Sequence, residues 1–118
     1  MILFKQEHLC PIYKGWKTET RRLWKKQRVK VASIHAIKTK LFEKDNHGFI
    51  LIKSVRQENL LDISEKSALK EGLYTIKTYL HKWFEINPKS PPNPSVYVVE
   101  FSFVGFEPYT NAIKKEVG

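Results

Sequence analysis

The chain has 118 residues, 42% of them hydrophobic, which is enough for one domain with an ordinary hydrophobic core. A single cysteine, Cys10, excludes an internal disulfide, and no apolar run approaches the roughly 20 residues of a membrane span. The apolar start of the chain is too short for a signal peptide, so we expect a cytoplasmic protein without a membrane partner.

The net charge of +9 is concentrated in one basic segment, residues 21–30. Its six basic residues, with no acidic one among them, are Arg21, Arg22, Lys25, Lys26, Arg28 and Lys30. Such a cluster is the usual footprint of a partner that bears phosphates, and the flanking Trp16 and Trp24 can stack on bases. The pattern favours RNA or nucleotide binding. The alternatives are a solvated basic loop and two tryptophans that pack in the core.

The first elements are a strand, a helix and a second strand. Residues 2–4 predict the strand, and residues 7–14 predict a helix that Gly15 ends. Pro11 falls inside this helix, which must therefore start late or be kinked. Residues 18–24 alternate as a strand does.

The two sides of this second strand differ in character. One side carries Thr18, Thr20, Arg22 and Trp24. The other side carries Glu19, Arg21 and Leu23. The first side is polar but only partly charged, as a functional cleft can be, so we place Glu19 outside the site.

Three further strands and two helices follow. Residues 29–42 and 49–56 predict a long twisted hairpin, and residues 96–104, apolar on both faces, predict a central strand. The helices are predicted over 65–71, capped by Asp62 or Ser64, and over 76–86, capped by Thr75. Trp83 lies on the apolar stripe of the second helix, and we expect it in the core.

This order predicts an α+β domain over residues 1–106 and a loosely attached C-terminal tail over residues 107–118. About five short strands, mostly antiparallel, can curl into a small β-barrel with the helices packed at its ends.

The segment Gly15-x-Lys17-x-x-Thr20-x-Arg22, taken with the element order, resembles the ASCH domain, a relative of the PUA RNA-binding domain. In that family an N-terminal helix ends in Gly-x-Lys, and the following strand carries a threonine or an acid and an arginine. A second family feature, a helix that ends in Glu-Gly, is matched by Glu71 and the glycine after it. The resemblance covers residues 2–104 and implies a PUA-like β-barrel. The family's Gly-Asp turn after the central strand is absent here.

Threonine at the Thr20 position resembles the small bacterial amidohydrolases that remove the acetyl group from N4-acetylcytidine. That resemblance implies Thr20 as nucleophile, Lys17 as its base and Glu71 as acid/base. A lysine is a base only when it is neutral, and burial or neighbouring positive charge would lower the pKa of Lys17. The alternative is that Lys17 stays charged and donates to a phosphate or carbonyl, with Glu71 as its ion-pair partner.

We therefore expect a protein that binds RNA or a modified nucleoside. An amidohydrolase and a protein-interaction module are the alternatives. The expected binding residues are Trp16, Lys17, Thr18, Arg21, Arg22, Trp24, Lys25, Lys26 and Arg28. The four histidines and one cysteine lack the spacing of a metal site, so we expect no metal and no other cofactor.

Overall fold

A five-stranded sheet organises the structure, a computed structural model that describes residues 1–107. The strands are β1 (Ile2–Leu3), β2 (Glu19–Arg22), β3 (Ile34–Lys38), β4 (Phe49–Asn59) and β5 (Ser95–Gly105). Their order across the sheet is β1-β3-β4-β5-β2, and every pairing except that of β1 with β3 is antiparallel. The predicted α+β class and mostly antiparallel sheet are confirmed. The sheet is not closed, because no pairing within residues 1–107 joins β1 to β2.

Three helices accompany the sheet: α1 (Leu9–Tyr13), α2 (Glu65–Lys70) and α3 (Ile76–Ile86). The predicted first helix is divided, because a 3-10 turn over Gln6–His8 precedes α1. This division places Pro11 in the first turn of α1, where the missing N–H of proline removes no helical hydrogen bond.

The caps of the later helices agree with their sequence signals. The Ser64 hydroxyl, rather than Asp62, caps α2 by accepting from the amide of Ser67 at 3.1 Å. Thr75 caps α3 by accepting from the amide of Thr78, and the Thr78 hydroxyl accepts from the amide of Thr75 in return. This reciprocal capping box fixes the start of α3 where the sequence predicts it.

The predicted long strand over residues 29–42 is wrong in its length. Only residues 34–38 pair as β3, although Val29 is buried and anchors the preceding loop. Ala32 and Phe42 have left-handed backbones, with φ of 71° and 60°. Both residues depart from extended backbone, Ala32 two positions before β3 begins and Phe42 four positions after it ends, so residues 29–42 do not form one continuous strand. The apolar residues of this run are divided: Val29 and Ile37 are buried, whereas Val31, Leu41 and Phe42 are exposed.

Strand β5 has buried residues on both faces, as the apolar residues on both faces of its sequence predict. Val99 and Phe101 belong to one core cluster, which also contains Leu9 and Ile12 of α1. Val96 and Val98 point to the opposite face and join a second cluster with Ala68, Tyr79 and Trp83 of α2 and α3. Trp83 is 3% exposed, so it packs in the core as expected.

Strand β5 also positions β2, which pairs with it from Glu19 opposite Glu100 to Arg22 opposite Tyr97. β2 and β1 are therefore the two outer strands, and the space between them is the open seam of the sheet.

The predicted tail lies, apart from residue 107, outside the described residues. Within residues 1–107, no helix has the length and hydrophobicity needed to cross a bilayer.

Candidate functional site

The turn after α1 carries Lys17 into the interior. Gly15 has a φ of 76°, a left-handed backbone that a residue without a Cβ adopts at little cost. The amides of Trp16 and Lys17 then both donate to the carbonyl of Pro11, at 2.9 and 3.1 Å. The chain is thereby folded back under α1, and the Lys17 side chain is only 3% exposed.

Lys17 meets Glu71 at the end of α2. The Lys17 ammonium donates to Glu71 Oε1 at 3.1 Å, to the Glu71 carbonyl at 2.7 Å and to the Glu19 carbonyl at 3.0 Å. A backbone hydrogen bond of 2.8 Å from Thr18 to Lys70 fixes the two segments together. Burial lowers the pKa of Lys17, and the negative charge of Glu71 partly offsets this effect. The structure therefore joins two of the three residues that the resemblance implies as catalytic.

Arg21 completes this buried ionic network. Its Nη1 donates to Glu19 Oε1 at 2.8 Å and to Glu71 Oε2 at 2.9 Å. Its Nε donates to Glu58 at 3.1 Å, and its Nη2 donates to the same carboxylate. These four hydrogen bonds to carboxylates use four of the five N–H groups of the Arg21 guanidinium. Arg21 is expected among the binding residues, and the structure shows its side chain held in this network, where it also lines the cavity described below.

Glu19 shares the face of β2 with Arg21, as the alternation predicts, and its side chain is buried. It is nevertheless part of the structure around Lys17, because its backbone carbonyl accepts from the Lys17 ammonium. Within residues 1–107, Glu19 Oε2 is a buried oxygen with no hydrogen-bond partner.

Thr20 and Arg22 lie on the other face of β2. Arg22 Nε donates to Thr20 Oγ1 at 3.0 Å, and the Arg22 guanidinium stands 4.9 Å from the centroid of the Phe4 ring. Burial lowers the pKa of Arg22, but a guanidinium starts so high that it keeps its charge. In the described part of the chain, this bond to Thr20 is the only side-chain hydrogen bond of Arg22. The terminal nitrogens of Arg22 therefore remain available to a ligand.

The seam between β1 and β2 contains a cavity of about 380 Å³, closed on its far side by α3, which we call the seam cavity. Its volume falls within the roughly 300–1,000 Å³ of small-molecule sites. Thr20, Arg21 and Arg22 line it from β2. Phe4, Tyr79 and Trp83 form its aromatic walls. Lys17 and Glu71 do not line it.

Two seam-cavity residues, His8 and Tyr79, were not identified from the sequence. Burial, followed by the charge of Lys17, lowers the pKa of His8 to about 4, so its imidazole is neutral at pH 7. Burial, followed by the charge of Glu71, raises the pKa of Tyr79, so its phenol stays protonated. Tyr79 thus connects the seam cavity to Glu71 electrostatically. The helical stripe of α3 includes Tyr79, but no sequence signal marks His8, whose position depends on the fold.

The basic segment borders a second, smaller cavity of about 180 Å³, which we call the loop cavity. Trp24 and Arg28 line it, and the Arg28 guanidinium lies 5.9 Å from the centroid of the Trp24 ring. Leu3 and Arg22 line both cavities, so the two adjoin. Arg22 therefore stands at the boundary between them.

The remaining predicted binding residues divide into two groups. Lys25 and Lys26 are exposed on the loop beside the loop cavity. Trp16 and Thr18 line neither cavity. Trp16 is 46% exposed, and the Lys14 ammonium lies over its ring. The backbone carbonyl of Thr18 accepts a hydrogen bond from the amide of Phe101 in β5.

Across residues 1–107, no group of three or more His, Cys, Asp or Glu side chains is placed to hold a metal ion.

The sequence matches no family model and no curated protein, but solved structures share its fold. An ASCH domain from Lactobacillus crispatus JV V101 superposes with a TM-score of 0.65 at 17% identity, covering 82% of this chain and 70% of that chain. A DUF984 protein from Enterococcus faecalis V583 gives a TM-score of 0.64 at 16% identity, covering 91% of this chain and 84% of that chain.

A mutant ASCH protein from Zymomonas mobilis gives a TM-score of 0.61 at 16% identity, covering 86% of this chain and 66% of that chain. At these identities the similarity shows the fold, and it agrees with the resemblance carried by the Gly15-x-Lys17-x-x-Thr20-x-Arg22 segment. The chain therefore has the PUA-like α+β fold of the ASCH domain.

Proposed function

We propose that this protein binds a nucleoside unit, free or within RNA, in the seam cavity. The observation that carries the proposal is Arg22. Its guanidinium is charged, is held in place by Thr20 and the Phe4 ring, and has terminal nitrogens free to face a ligand. A planar fork of donors fixed in this way suits a phosphate or a base carbonyl.

The other walls of the seam cavity support the same ligand class. Phe4, Tyr79 and Trp83 offer aromatic surface on which a base can pack. Asn87 and the neutral His8 add hydrogen-bonding groups without a charge that would have to be neutralised. A cavity with aromatic walls and a few polar groups is the usual form of a site for a planar polar ring.

Binding is tested with a fluorescently labelled single-stranded oligoribonucleotide followed by anisotropy. Arg22→Gln removes the charge and keeps a side chain that can still bond to Thr20. Hydrogen bonds to charged groups contribute about 1.5–3 kcal/mol, so the affinity should fall about tenfold to a hundredfold. Lys66→Gln is the matched control, since Lys66 is exposed on α2 and lines neither cavity. Equal losses of RNA affinity in Arg22→Gln and Lys66→Gln would contradict the proposal.

A second candidate is an amidohydrolase that acts on an acylated pyrimidine nucleoside. The buried Lys17–Glu71 pair, in which burial lowers the pKa of Lys17, favours this candidate. In it, Lys17 passes a proton to Glu71 and becomes neutral. The Lys17 amine then takes the hydroxyl proton of Thr20, whose oxygen adds to the acetyl carbonyl carbon. Lys17 must shift from its present acceptors to do so.

The remaining steps follow from proton balance. The bond between the acetyl carbon and the exocyclic nitrogen breaks, and Lys17 returns its proton to the leaving amine. A water molecule then hydrolyses the acyl-threonine to acetate. Both oxygens of Glu71 are occupied by Lys17 and Arg21, so Glu71 serves as the proton partner of Lys17 and not as the direct acid for the leaving amine.

Incubation with N4-acetylcytidine, followed by chromatography for cytidine, tests this candidate. Thr20→Val removes the hydroxyl and keeps the shape of a residue suited to a strand, so it should give no product. Lys66→Gln should match the wild type. Turnover by Thr20→Val at the wild-type rate, or no cytidine from concentrated wild-type protein, would remove the candidate.

A further inference from the structure

We infer that the ligand of this site is a pair of nucleotides joined by a phosphodiester, and not a free nucleoside. One nucleoside occupies the seam cavity, the bridging phosphate lies on Arg22, and the neighbouring nucleoside lies in the loop cavity against Trp24 and Arg28. The inference rests on the proposed function, because it assigns the seam cavity to a nucleoside unit.

The seam cavity and the loop cavity share a boundary at Arg22 and Leu3. Arg22 and Leu3 line both, so a ligand that continues from one cavity to the other must pass the Arg22 guanidinium. A dinucleotide carries its one negative charge on the phosphodiester between its two nucleosides. With one nucleoside in each cavity, that phosphodiester would lie at the Arg22 guanidinium. A free nucleoside has no negative charge to place beside Arg22, whereas the phosphodiester of a dinucleotide can accept charge-assisted hydrogen bonds from its guanidinium.

The chemistry of the loop cavity also supports the inference. Trp24 is partly buried, and its ring centroid lies 5.9 Å from that of Tyr97, so its orientation is fixed. The Arg28 guanidinium lies beside the same ring. An aromatic ring with an adjacent guanidinium is the combination that binds successive nucleotides of a single strand.

The charge of residues 21–30 supports it as well. Arg21 is neutralised internally by three carboxylates, so the electrostatic attraction of residues 21–30 comes from the cations that follow it. Lys25, Lys26 and Lys30 are exposed on the same loop as Arg28. These lysines line neither cavity, so their positive charge is available to further phosphates of a nucleic acid strand.

The experiment compares the ribonucleosides of A, C, G and U with their 5′-monophosphates and their homodinucleotides by equilibrium dialysis at constant salt. For the base that binds best, the dinucleotide should bind at least tenfold more tightly than the nucleoside. Arg28→Gln should remove most of that advantage without changing nucleoside affinity. Lys30→Gln is the matched control, because Lys30 lies in the same loop but lines neither cavity, and it should change the advantage less than twofold.

The outcomes separate the inference from the proposed function. If nucleoside and dinucleotide bind equally, or if the 5′-monophosphate binds as tightly as the dinucleotide, the inference is overturned and the proposed function stands. Equal effects of Arg28→Gln and Lys30→Gln also overturn it, because the loop would then act only through its overall charge. If none of the probes binds, the proposed function fails and the inference with it.

Discussion

Glu71 holds two buried cations at once, with one carboxylate oxygen on Lys17 and the other on Arg21. Removing one member of a buried ion pair commonly costs about 3–5 kcal/mol, because the remaining charge is left in the interior without compensation. Glu71→Gln should therefore lower the free energy of unfolding by about that amount, as measured by urea denaturation.

Glu85→Gln provides the control for this loss of stability. Glu85 is an exposed residue of α3, and its one ion pair within residues 1–107 is with the exposed His81. Surface changes of this kind usually stay within about 0.5 kcal/mol. If Glu71→Gln were no more destabilising than Glu85→Gln, the network would not be the structural centre described above.

His8 gives the structure a specific dependence on pH. Its pKa falls from 6.5 to about 4 on folding, so the unfolded chain binds this proton at higher pH than the folded chain does. The contribution of His8 to stability is complete above about pH 6.5 and is lost progressively as the pH falls toward 4. Thermal or urea unfolding of the wild type across this window should show the loss, and His8→Gln should flatten it.

His81→Gln is the matched control, since the His81 side chain is 83% exposed. It should leave the pH dependence as in the wild type. A wild-type profile that is flat between pH 6.5 and 4, or one that His81→Gln flattens equally, would contradict the burial of a neutral His8.

A short motif and the element order mark Lys17, Thr20, Arg22 and Glu71 as candidate site residues in the sequence. The pairing of Arg21 with three carboxylates could not be predicted, for a physical reason. Strand alternation shows which side of β2 a residue faces, but not what covers that side, and here the end of α2 brings Glu71 against it. Long-range packing of this kind also determines the environment of His8.

At the level of elements, the sequence succeeded where local chemistry decides the boundary. Residues 76–86 were predicted as a helix, and α3 spans Ile76–Ile86 because the Thr75 and Thr78 caps define its start. It failed over residues 29–42, where two left-handed residues, Ala32 and Phe42, interrupt an apolar run. Neither is glycine or asparagine, the residues that usually signal a left-handed turn, so no local signal marks the break.

The capping box of α3 affects the site directly, because this helix supplies Tyr79, Lys82 and Trp83 to the seam cavity. Thr75→Ala should lower the free energy of unfolding by about 1 kcal/mol, the usual cost of losing an N-cap oxygen. Thr75→Ser, which keeps the oxygen, should stay near the wild type, and so should Lys77→Ala at an exposed position of the same helix. Equal stability of the alanine and serine variants in urea would show that the cap does not hold α3.

At the level of the whole molecule, the open seam explains why one end of the sheet can act as a site. β1 and β2 are the outer strands, and in the gap between them the buried Thr20 and the half-buried Arg22 line a cavity. Four basic residues with no acidic one among them, Lys25, Lys26, Arg28 and Lys30, follow directly after β2. The fold thus places a basic loop directly after the strand that carries Arg22 to the cavity.

The salt dependence of RNA binding tests this account most directly. A labelled single-stranded oligoribonucleotide that docks on the seam and the basic loop should contact about four to six phosphates, and single strands lose about 0.7 in log affinity per phosphate for each tenfold rise in salt. The predicted slope of log affinity against log salt is therefore about −3 to −4. Affinity that is flat in salt, or RNA binding that is absent at low salt, would contradict the assignment of this surface to RNA.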